Sequence, residues 1–226
     1  MPTTNLVIEN KVFNQHNTFD PNSSDNQTDG LSALRFSEDT NLTVNNTTVD
    51  GEVARWGAKM SKVFDVTYNN CTFRNGTARA FDMVRGGNIT FNNCKFINDG
   101  TRKRVKSAYF SFGEVCDIGM KGGVRDITFN DCELNDILIG DYSIYDQIDR
   151  PKARRFTFNN CKNPNGGKII VRGRYVDGNT VKFNNTNAVM FIWPSFVMNL
   201  FWKFNRKFGD KRKPDGWNII DDGEKV

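Results

Sequence analysis

The chain has 226 residues, a formal net charge of +5, a mean hydropathy of −0.58 and 12% aromatic side chains. This composition suits one elongated domain with an ample core and much polar surface. The apolar stretch at residues 188–202 is fifteen residues long and contains Pro194 and Asn199, which argues against a transmembrane span. No basic stretch followed by an apolar run comes after Met1, so we expect no secretory signal.

One short pattern, Ile-Thr-Phe-Asn-Asn-Cys-Lys-Phe at residues 89–96, recurs along the chain. Close copies lie at residues 66–73, 127–134 and 156–161, weaker ones at 42–47 and 181–186, and a degraded one at 6–10. The second Asn-type position falls at 46, 70, 93, 131, 160 and 185, which gives spacings of 24, 23, 38, 29 and 25 residues. A recurrence near 24 residues with some longer steps predicts a solenoid with loops inserted in some coils.

Apolar residues alternate within each copy, as Ile89 and Phe91 do before the Asn pair and Cys94 and Phe96 do after it. A period of two predicts strands, and the Asn pair predicts a corner because Asn tolerates the left-handed conformation of a tight bend. A second strand is predicted before each marker, at residues 33–36, 53–56, 80–83, 108–110, 137–139 and 169–171.

These repeated rungs resemble the right-handed parallel β-helix of the pectate-lyase-like superfamily over residues 5–192. The resemblance implies an all-β fold of about six to seven coils of about 24 residues. A C-terminal amphipathic capping helix is predicted separately, from the residues after Ala188. The predicted domains are a parallel β-helix at 1–192 and an amphipathic helix with a basic tail at 193–226. The superfamily includes lyases, hydrolases, epimerases, phage spikes and inert structural proteins, so the fold leaves the activity open.

Four of the five cysteines, Cys71, Cys94, Cys132 and Cys161, occupy one repeat position. Stacked parallel rungs would hold their Cβ atoms about 4.8 Å apart, beyond the roughly 3.5–4.5 Å of a disulfide. We therefore expect a buried column of thiols. Cys116 falls in a predicted loop and is expected to be the more reactive thiol.

In proteins of this superfamily a substrate groove follows the first strand of each coil and its flanking loops. The resemblance therefore implies that ligand-binding side chains lie along that strand. The candidate residues are Arg35, Arg55, Asp82, Tyr109, Asp141 and Arg172. Arginine forks grip carboxylates and aromatic faces stack on sugar rings, so these residue types favour an acidic polysaccharide.

The signatures of catalysis are weak. A uronate lyase of this fold would need Ca²⁺ or another neutraliser, yet the acidic residues Asp82, Glu114 and Asp141 are scattered. A hydrolase would need several Asp and a His in the groove, and His16 is the only histidine. We therefore expect no catalytic residue, no metal site and no cofactor, with Ca²⁺ needed only if the protein is a lyase.

After Ala188 the repeat ends, and Pro194 is suited to the first turn of a helix. The apolar residues of that predicted helix are Phe196, Val197, Leu200, Phe201, Phe204 and Phe208. Its basic end carries the candidate partner-binding residues Lys203, Arg206, Lys207, Lys211 and Arg212. The helix could cap the open end of the solenoid, or it could dock on a membrane surface or an anionic partner.

The leading interpretation is a recognition or structural module that displays a glycan- or partner-binding face, within a phage virion or a cell-surface assembly. One alternative is a polysaccharide lyase or epimerase that acts through Arg55, Tyr109 or a neighbouring Lys or Arg. Another is a purely structural solenoid that binds proteins through its loops. The basic residues 102–106 are taken as a solvated charge run, so no specific nucleic acid is expected.

The expected location is cytoplasmic or virion-associated, in a bacterial or viral source. This expectation rests partly on Asn70, which forms an Asn-Cys-Thr sequon and is expected to point into the stack, where a glycan would not fit. Self-association of the chain stays open.

Overall fold

The computed structural model describes residues 5–14, 32–37, 40–51, 56–75, 79–83, 86–97, 116–118, 125–140, 154–174 and 180–193. Within these ranges the protein is all-β and contains no α-helix. The strands are β1 (Val7–Glu9), β2 (Val12–Asn14), β3 (Ser32–Ser37), β4 (Thr40–Asn45), β5 (Thr48–Asp50), β6 (Trp56–Ser61), β7 (Val63–Asn69), β8 (Thr72–Arg74), β9 (Arg79–Met83), β10 (Gly86–Asn92), β11 (Lys95–Ile97), β12 (Cys116–Ile118), β13 (Arg125–Asn130), β14 (Asp136–Gly140), β15 (Arg154–Asn159), β16 (Ile169–Arg174), β17 (Val181–Asn184) and β18 (Ala188–Trp193).

The strands form three sheets, in which every pairing between neighbours is parallel. Sheet A has the order β1-β4-β7-β10-β13-β15-β17, sheet B has β2-β5-β8-β11, and sheet C has β3-β6-β9-β12-β14-β16-β18. The chain visits sheets A, B and C in turn, so each circuit adds one strand to each sheet; in the later circuits isolated bridges at Glu133 take the place of a sheet B strand. This arrangement is compatible with the expected β-helix.

The second Asn of each repeat forms the corner between sheet A and sheet B. These residues all have positive φ, between 45° and 54°: Asn46, Asn70, Asn93, Asp131, Asn160 and Asn185. Their backbone N–H groups donate to the strand of the next circuit, as Asn70 does to the Asn92 carbonyl at 2.9 Å. The predicted left-handed corner is confirmed, and Asn or Asp is used there because few other side chains tolerate this conformation.

Aromatic rings from all three sheets meet in one core. Tyr68 of sheet A lies 5.3 Å from Phe73 of sheet B, and Phe73 lies 5.0 Å from Phe81 of sheet C, measured between ring centroids. Along sheet A the rings stack face to face, with 4.9 Å between Phe91 and Phe129. Burying each of these rings contributes about 2–3 kcal/mol, so the phenylalanines of the repeat supply much of the driving force for folding.

The first Asn of each repeat forms a side-chain ladder on the outward side of sheet A, here called the amide ladder. Each Nδ2 donates to the Oδ1 one strand back, at 2.7 to 2.8 Å, through Asn184, Asn159, Asn130, Asn92, Asn69 and Asn45. The ladder ends on Glu9, whose Oε1 accepts from Asn45 at 2.9 Å. Every bond runs in the same direction, so the amide dipoles are aligned along the stack.

The expectation that Asn70 points into the stack is wrong. Asn70 is exposed, and its Nδ2 donates to Asn46 Oδ1 at 3.1 Å while its Oδ1 accepts from Asn93 at 2.9 Å. The left-handed corner turns this side chain outward, into a second ladder on the surface. Asn70 therefore does not favour a bacterial or viral source.

The four repeat cysteines form the expected buried column, and none of the five cysteines, all within the described residues, is in a disulfide. Each Sγ lies near a backbone carbonyl of the preceding circuit, for example Cys71 Sγ at 3.2 Å from the Val44 oxygen. Hydrogen bonding with Cys132 and Cys71, together with burial, raises the pKa of the Cys94 thiol. Hydrogen bonding with Cys132 and burial likewise raise the pKa of Cys161.

Two predictions about sheet C are wrong. Cys116 lies in strand β12 and is fully buried rather than in a loop, because it faces the core in register with Phe81 and Ile137. The strand predicted to end at residue 56 continues as β6 to Ser61, while its predicted residues 53–55 lie outside the described residues. Gly57 permits this path, because a Cβ there would collide with the carbonyl oxygen of Ala80 on the neighbouring strand. The strand predicted at residues 108–110 and the helix predicted after Pro194 lie outside the described residues.

Candidate functional site

One row of side-chain positions runs along the outward side of sheet C, one residue per strand. Register places Arg35, Lys59, Asp82, Asp117, Leu138, Arg172 and Phe191 on it, from β3 to β18. Their neighbours Ala58, Met60, Phe81 and Met83 belong to the core, so the row occupies the opposite side of the sheet. We call these seven positions the outward row of sheet C.

The middle of the outward row is shielded from water. Lys59 is 1% exposed, Asp82 0% and Leu138 1%, although all three lie on the side of the sheet away from the core. Lys59 and Asp82 are in register on adjacent strands, about 4.8 Å apart along the stack. Both also interact with neighbouring groups. Burying a charge is costly unless it is compensated, so two buried charges here mark a polar site rather than ordinary surface.

The row opens at its C-terminal end, where Arg172 is held by Asp136. The guanidinium donates through Nε to Asp136 Oδ1 at 3.2 Å and through Nη2 to Oδ2 at 2.9 Å. Such a two-point contact fixes the plane of the arginine. Phe191, in register with Arg172 on the next strand, is 51% exposed. An oriented cation therefore lies beside an exposed aromatic residue.

Of the six predicted ligand-binding residues, the structure places Arg35, Asp82 and Arg172 together on the outward row. Arg55, Tyr109 and Asp141 lie outside the described residues, as do the basic tail residues Lys203, Arg206, Lys207, Lys211 and Arg212.

Lys59 and Phe191 are among the residues of the outward row that the sequence analysis missed. Lys59 could have been found, because it stands between the two apolar residues of an alternating Ala-Lys-Met segment. Phe191 was included in the predicted last strand, but its register with Arg172 has no local signal.

Two other charged groups lie on the sheet B side. Asp50, 5% exposed, accepts from Arg74 Nε at 2.7 Å and from Asn75 Nδ2 at 2.9 Å. Glu133 lies between two lysines, with Lys162 Nζ at 3.1 Å and Lys95 Nζ at 3.5 Å. The hydrogen bond from Lys162 and the charge of Lys95 lower the pKa of Glu133. Each of these carboxylates lies against basic side chains, so we interpret Asp50 and Glu133 as members of structural ion pairs.

The outward row combines hydrogen-bond donors of positive charge, carboxylate acceptors and one exposed ring. Among the described residues no cluster of three or more His, Cys, Asp or Glu could hold a metal ion. A search of the same part of the chain found no helix with the length and apolar character to cross a membrane. Comparison with known protein families, curated protein sequences and solved structures found no match to the chain.

Proposed function

We propose that the three sheets close into a right-handed parallel β-helix of the pectate-lyase-like kind. Support comes from the strict parallel register, from the stacked asparagine ladders and from the shared aromatic core of the three sheets. On this fold the protein works as a recognition module that binds an acidic polysaccharide along the outward row of sheet C.

The observation that carries this proposal is the pair of Arg172 and Phe191. A uronate sugar presents a carboxylate, which the guanidinium can bind, and an apolar ring face, which can pack on phenylalanine. Asp136 holds Arg172 in place, so less conformational entropy is lost when the ligand binds. The polymer would make these contacts at the C-terminal end of the row, because Lys59, Asp82 and Leu138 are shielded.

The mixed charge of the row favours an acidic sugar over a nucleic acid. Register places Asp82 and Asp117 on the row between the cations, so the row presents no unbroken run of positive charge for a chain with a phosphate on every unit. A uronate polymer can instead place a single carboxylate against Arg172 at the C-terminal end of the row.

The test is to measure the affinity of variants for an oligogalacturonate by calorimetric titration. We expect Phe191→Ser to weaken binding about tenfold, because it removes the exposed ring, and Arg172→Ala to weaken it further. Ile192→Ser is the matched control, since Ile192 is the next residue and is similarly exposed at 48%. Equal effects of the Phe191 and Ile192 substitutions, with folding intact, would remove Phe191 from the site and sink the proposal.

A second candidate is a polysaccharide lyase or epimerase, favoured by the buried position of Lys59. Such an enzyme needs a base that removes a proton next to the uronate carboxyl, and lysine is one of the residues that can serve. Register places Lys59 between Arg35 and Asp82. Formation of an unsaturated uronate by the native protein, and its loss in Lys59→Met, would establish this activity.

For the C-terminal segment, residues 194–226, we propose a capping role with a basic tip that attaches the module to a phage virion or cell-surface assembly. The inward-facing residues of the last circuit, such as Phe183 and Met190, are only partly buried by the described chain, which leaves apolar surface for a cap. Deleting residues 194–226 should lower stability. If the protein without residues 194–226 is as stable as the full chain, the segment is not a cap. If the truncated protein still associates with an anionic partner, the basic tip is not the attachment site.

A further inference from the structure

A second surface feature lies on the outward side of sheet A, at the start of its strands. Six residues there have φ between +54° and +60°: Asn5, Asn41, Asp65, Asn88, Asp126 and Arg155. A core residue directly follows each of Asn41, Asp65, Asn88 and Asp126. These core residues are in register from strand to strand: Leu42, Val66, Ile89 and Ile127. The same bend therefore recurs at the start of six of the seven strands of sheet A, and we call this line of bends the crease.

Side chains bridge the crease from β7 to β15 and leave it open only toward β1, and the bridge nearest to the open end is the hydrogen bond that Asn88 Nδ2 donates to Asp65 Oδ1. Arg155 forms an ion pair with Asp126, and this pair spans two neighbouring strands. Toward the N-terminus there is an open depression of about 460 Å³. Six residues that line it come from β1, β4, β7 and the positions just before them: Asn5, Val7, Asn41, Thr43, Asp65 and Thr67.

Five of the seven residues that line this depression are polar, and none of the seven carries a positive charge. Asn5 and Asn41 offer amides, Thr43 and Thr67 offer hydroxyls, and Asp65 offers the single charge. Thr43 and Thr67 are in register, so hydroxyls recur one strand spacing apart, about 4.8 Å. Hydroxyl groups, each both a donor and an acceptor, thus repeat along a line parallel to the stack.

Two exposed apolar side chains accompany the polar ones. Val7 lines the depression and is 57% exposed. Phe64 immediately precedes Asp65 on β7 and is 39% exposed. Its neighbour in register on β10 is Gly87, which has no side chain to cover the ring. An exposed aromatic residue next to a carboxylate and a row of hydroxyls provides both kinds of contact that a sugar ring makes.

We propose that this open end of the crease is a binding site for a neutral saccharide, with an extended glycan chain lying along the stack. Thr43, Thr67, Asn41 and Asp65 would exchange hydrogen bonds with the sugar hydroxyls, and Phe64 would pack on one face of a ring. This site lies on a different sheet from the outward row of sheet C and takes a ligand of different charge.

The lining decides between a neutral saccharide and other ligands. An acidic polymer would meet Asp65 with no cation among the lining residues to compensate it. A metal ion would need several carboxylates, and only one lines the depression. A basic peptide would gain little from a single exposed carboxylate in water. The hydroxyl groups of a neutral sugar can form hydrogen bonds with the asparagine amides, the threonine hydroxyls and Asp65.

The experiment is saturation-transfer NMR and calorimetry of the full chain with linear glucan, mannan and chitin oligosaccharides, at up to about 10 mM. We expect one of these three to bind. Thr67→Val and Phe64→Ser should each weaken that binding about tenfold. Asp65→Asn, which keeps a residue suited to positive φ, should also weaken it by removing the charged acceptor.

Matched controls come from the bridged end of the crease. Thr128→Val repeats the Thr67 change on β13, and Asp126→Asn repeats the Asp65 change. The proposal predicts native affinity in both controls. It is overturned if none of the three oligosaccharides binds, or if the controls lose as much affinity as Thr67→Val while melting temperatures are unchanged. The effect of Phe191→Ser on oligogalacturonate binding tests the site on sheet C separately, so failure of one proposal can be told from failure of the other.

Discussion

Asn45 donates its side-chain amide to Glu9 Oε1 at 2.9 Å, and this bond closes a column in which every other link joins two asparagines. Because all the amides point toward β1, the donor end of the column meets a carboxylate. The arrangement is the side-chain counterpart of an acidic residue at the positive end of a helix. Aligned hydrogen bonds polarise one another, so Glu9 should influence more than its own contact.

Replacing Glu9 tests this terminal link. Glu9→Ala leaves the Asn45 donor without its partner, and we expect a loss of about 0.5–1 kcal/mol in the free energy of unfolding, since the site is exposed. Glu9→Gln retains an acceptor oxygen and should lose less. Chemical denaturation measures both. Equal stability of the alanine variant and the native protein would mean that the carboxylate has no capping role.

A substitution inside the amide ladder should cost more. Asn92 donates to Asn69 and accepts from Asn130, both at 2.8 Å, so Asn92→Ala removes two bonds at once. We expect a loss of about 2 kcal/mol because two part-buried partners are left unsatisfied. Thr90→Ala, on the outward side of the same strand, is the control and should cost only a few tenths of that. Similar losses for both would refute a special role of the ladder.

The thiols should be inert in the folded protein. All five cysteines are buried, so a reagent in solution cannot reach their sulfur atoms while the chain is folded. We expect a thiol-specific reagent to label none of them until denaturant unfolds the chain, and all five afterwards. Rapid labelling of Cys116 in the native protein would contradict its place in β12.

Acid should weaken the contact of Glu133 with its two lysines. Its pKa in the folded protein lies below the ordinary 4.5, so its contribution is complete above that pH and is lost as the pH falls through the lowered value. Glu133→Gln should therefore be less stable than the native protein near pH 7, by less than about 1 kcal/mol. At about pH 3 the difference should shrink. A constant difference at both pH values would exclude this linkage.

The repeat predicted the strands of sheet A and the corner residues well. Alternation of Ile89, Thr90 and Phe91 with a pair of asparagines specifies the strand, the side of the sheet on which each strand residue lies, and the position of the bend. The direction of the second asparagine was predicted wrongly, as Asn70 shows. These are local properties, so the sequence alone was sufficient. The cysteine column followed from the same register.

Sheet C was predicted less well because its strands depend on their neighbours. Cys116, Asp117 and Ile118 form a strand only by pairing with β9 and β14, and nothing in three residues announces it. The burial of Lys59 on the outward side is likewise a tertiary property. Arg172 and Asp136 are separated by thirty-six residues, and only the stacking of two circuits brings them into contact.

The most direct test of the proposed function is retention of the native protein on immobilised pectate, alginate, hyaluronan and chondroitin, with absorbance of unsaturated uronate recorded on the same samples. Recognition of an acidic polysaccharide predicts retention on at least one polymer, without new absorbance. New absorbance would identify a lyase instead. No retention on any of the four would contradict acidic-glycan recognition.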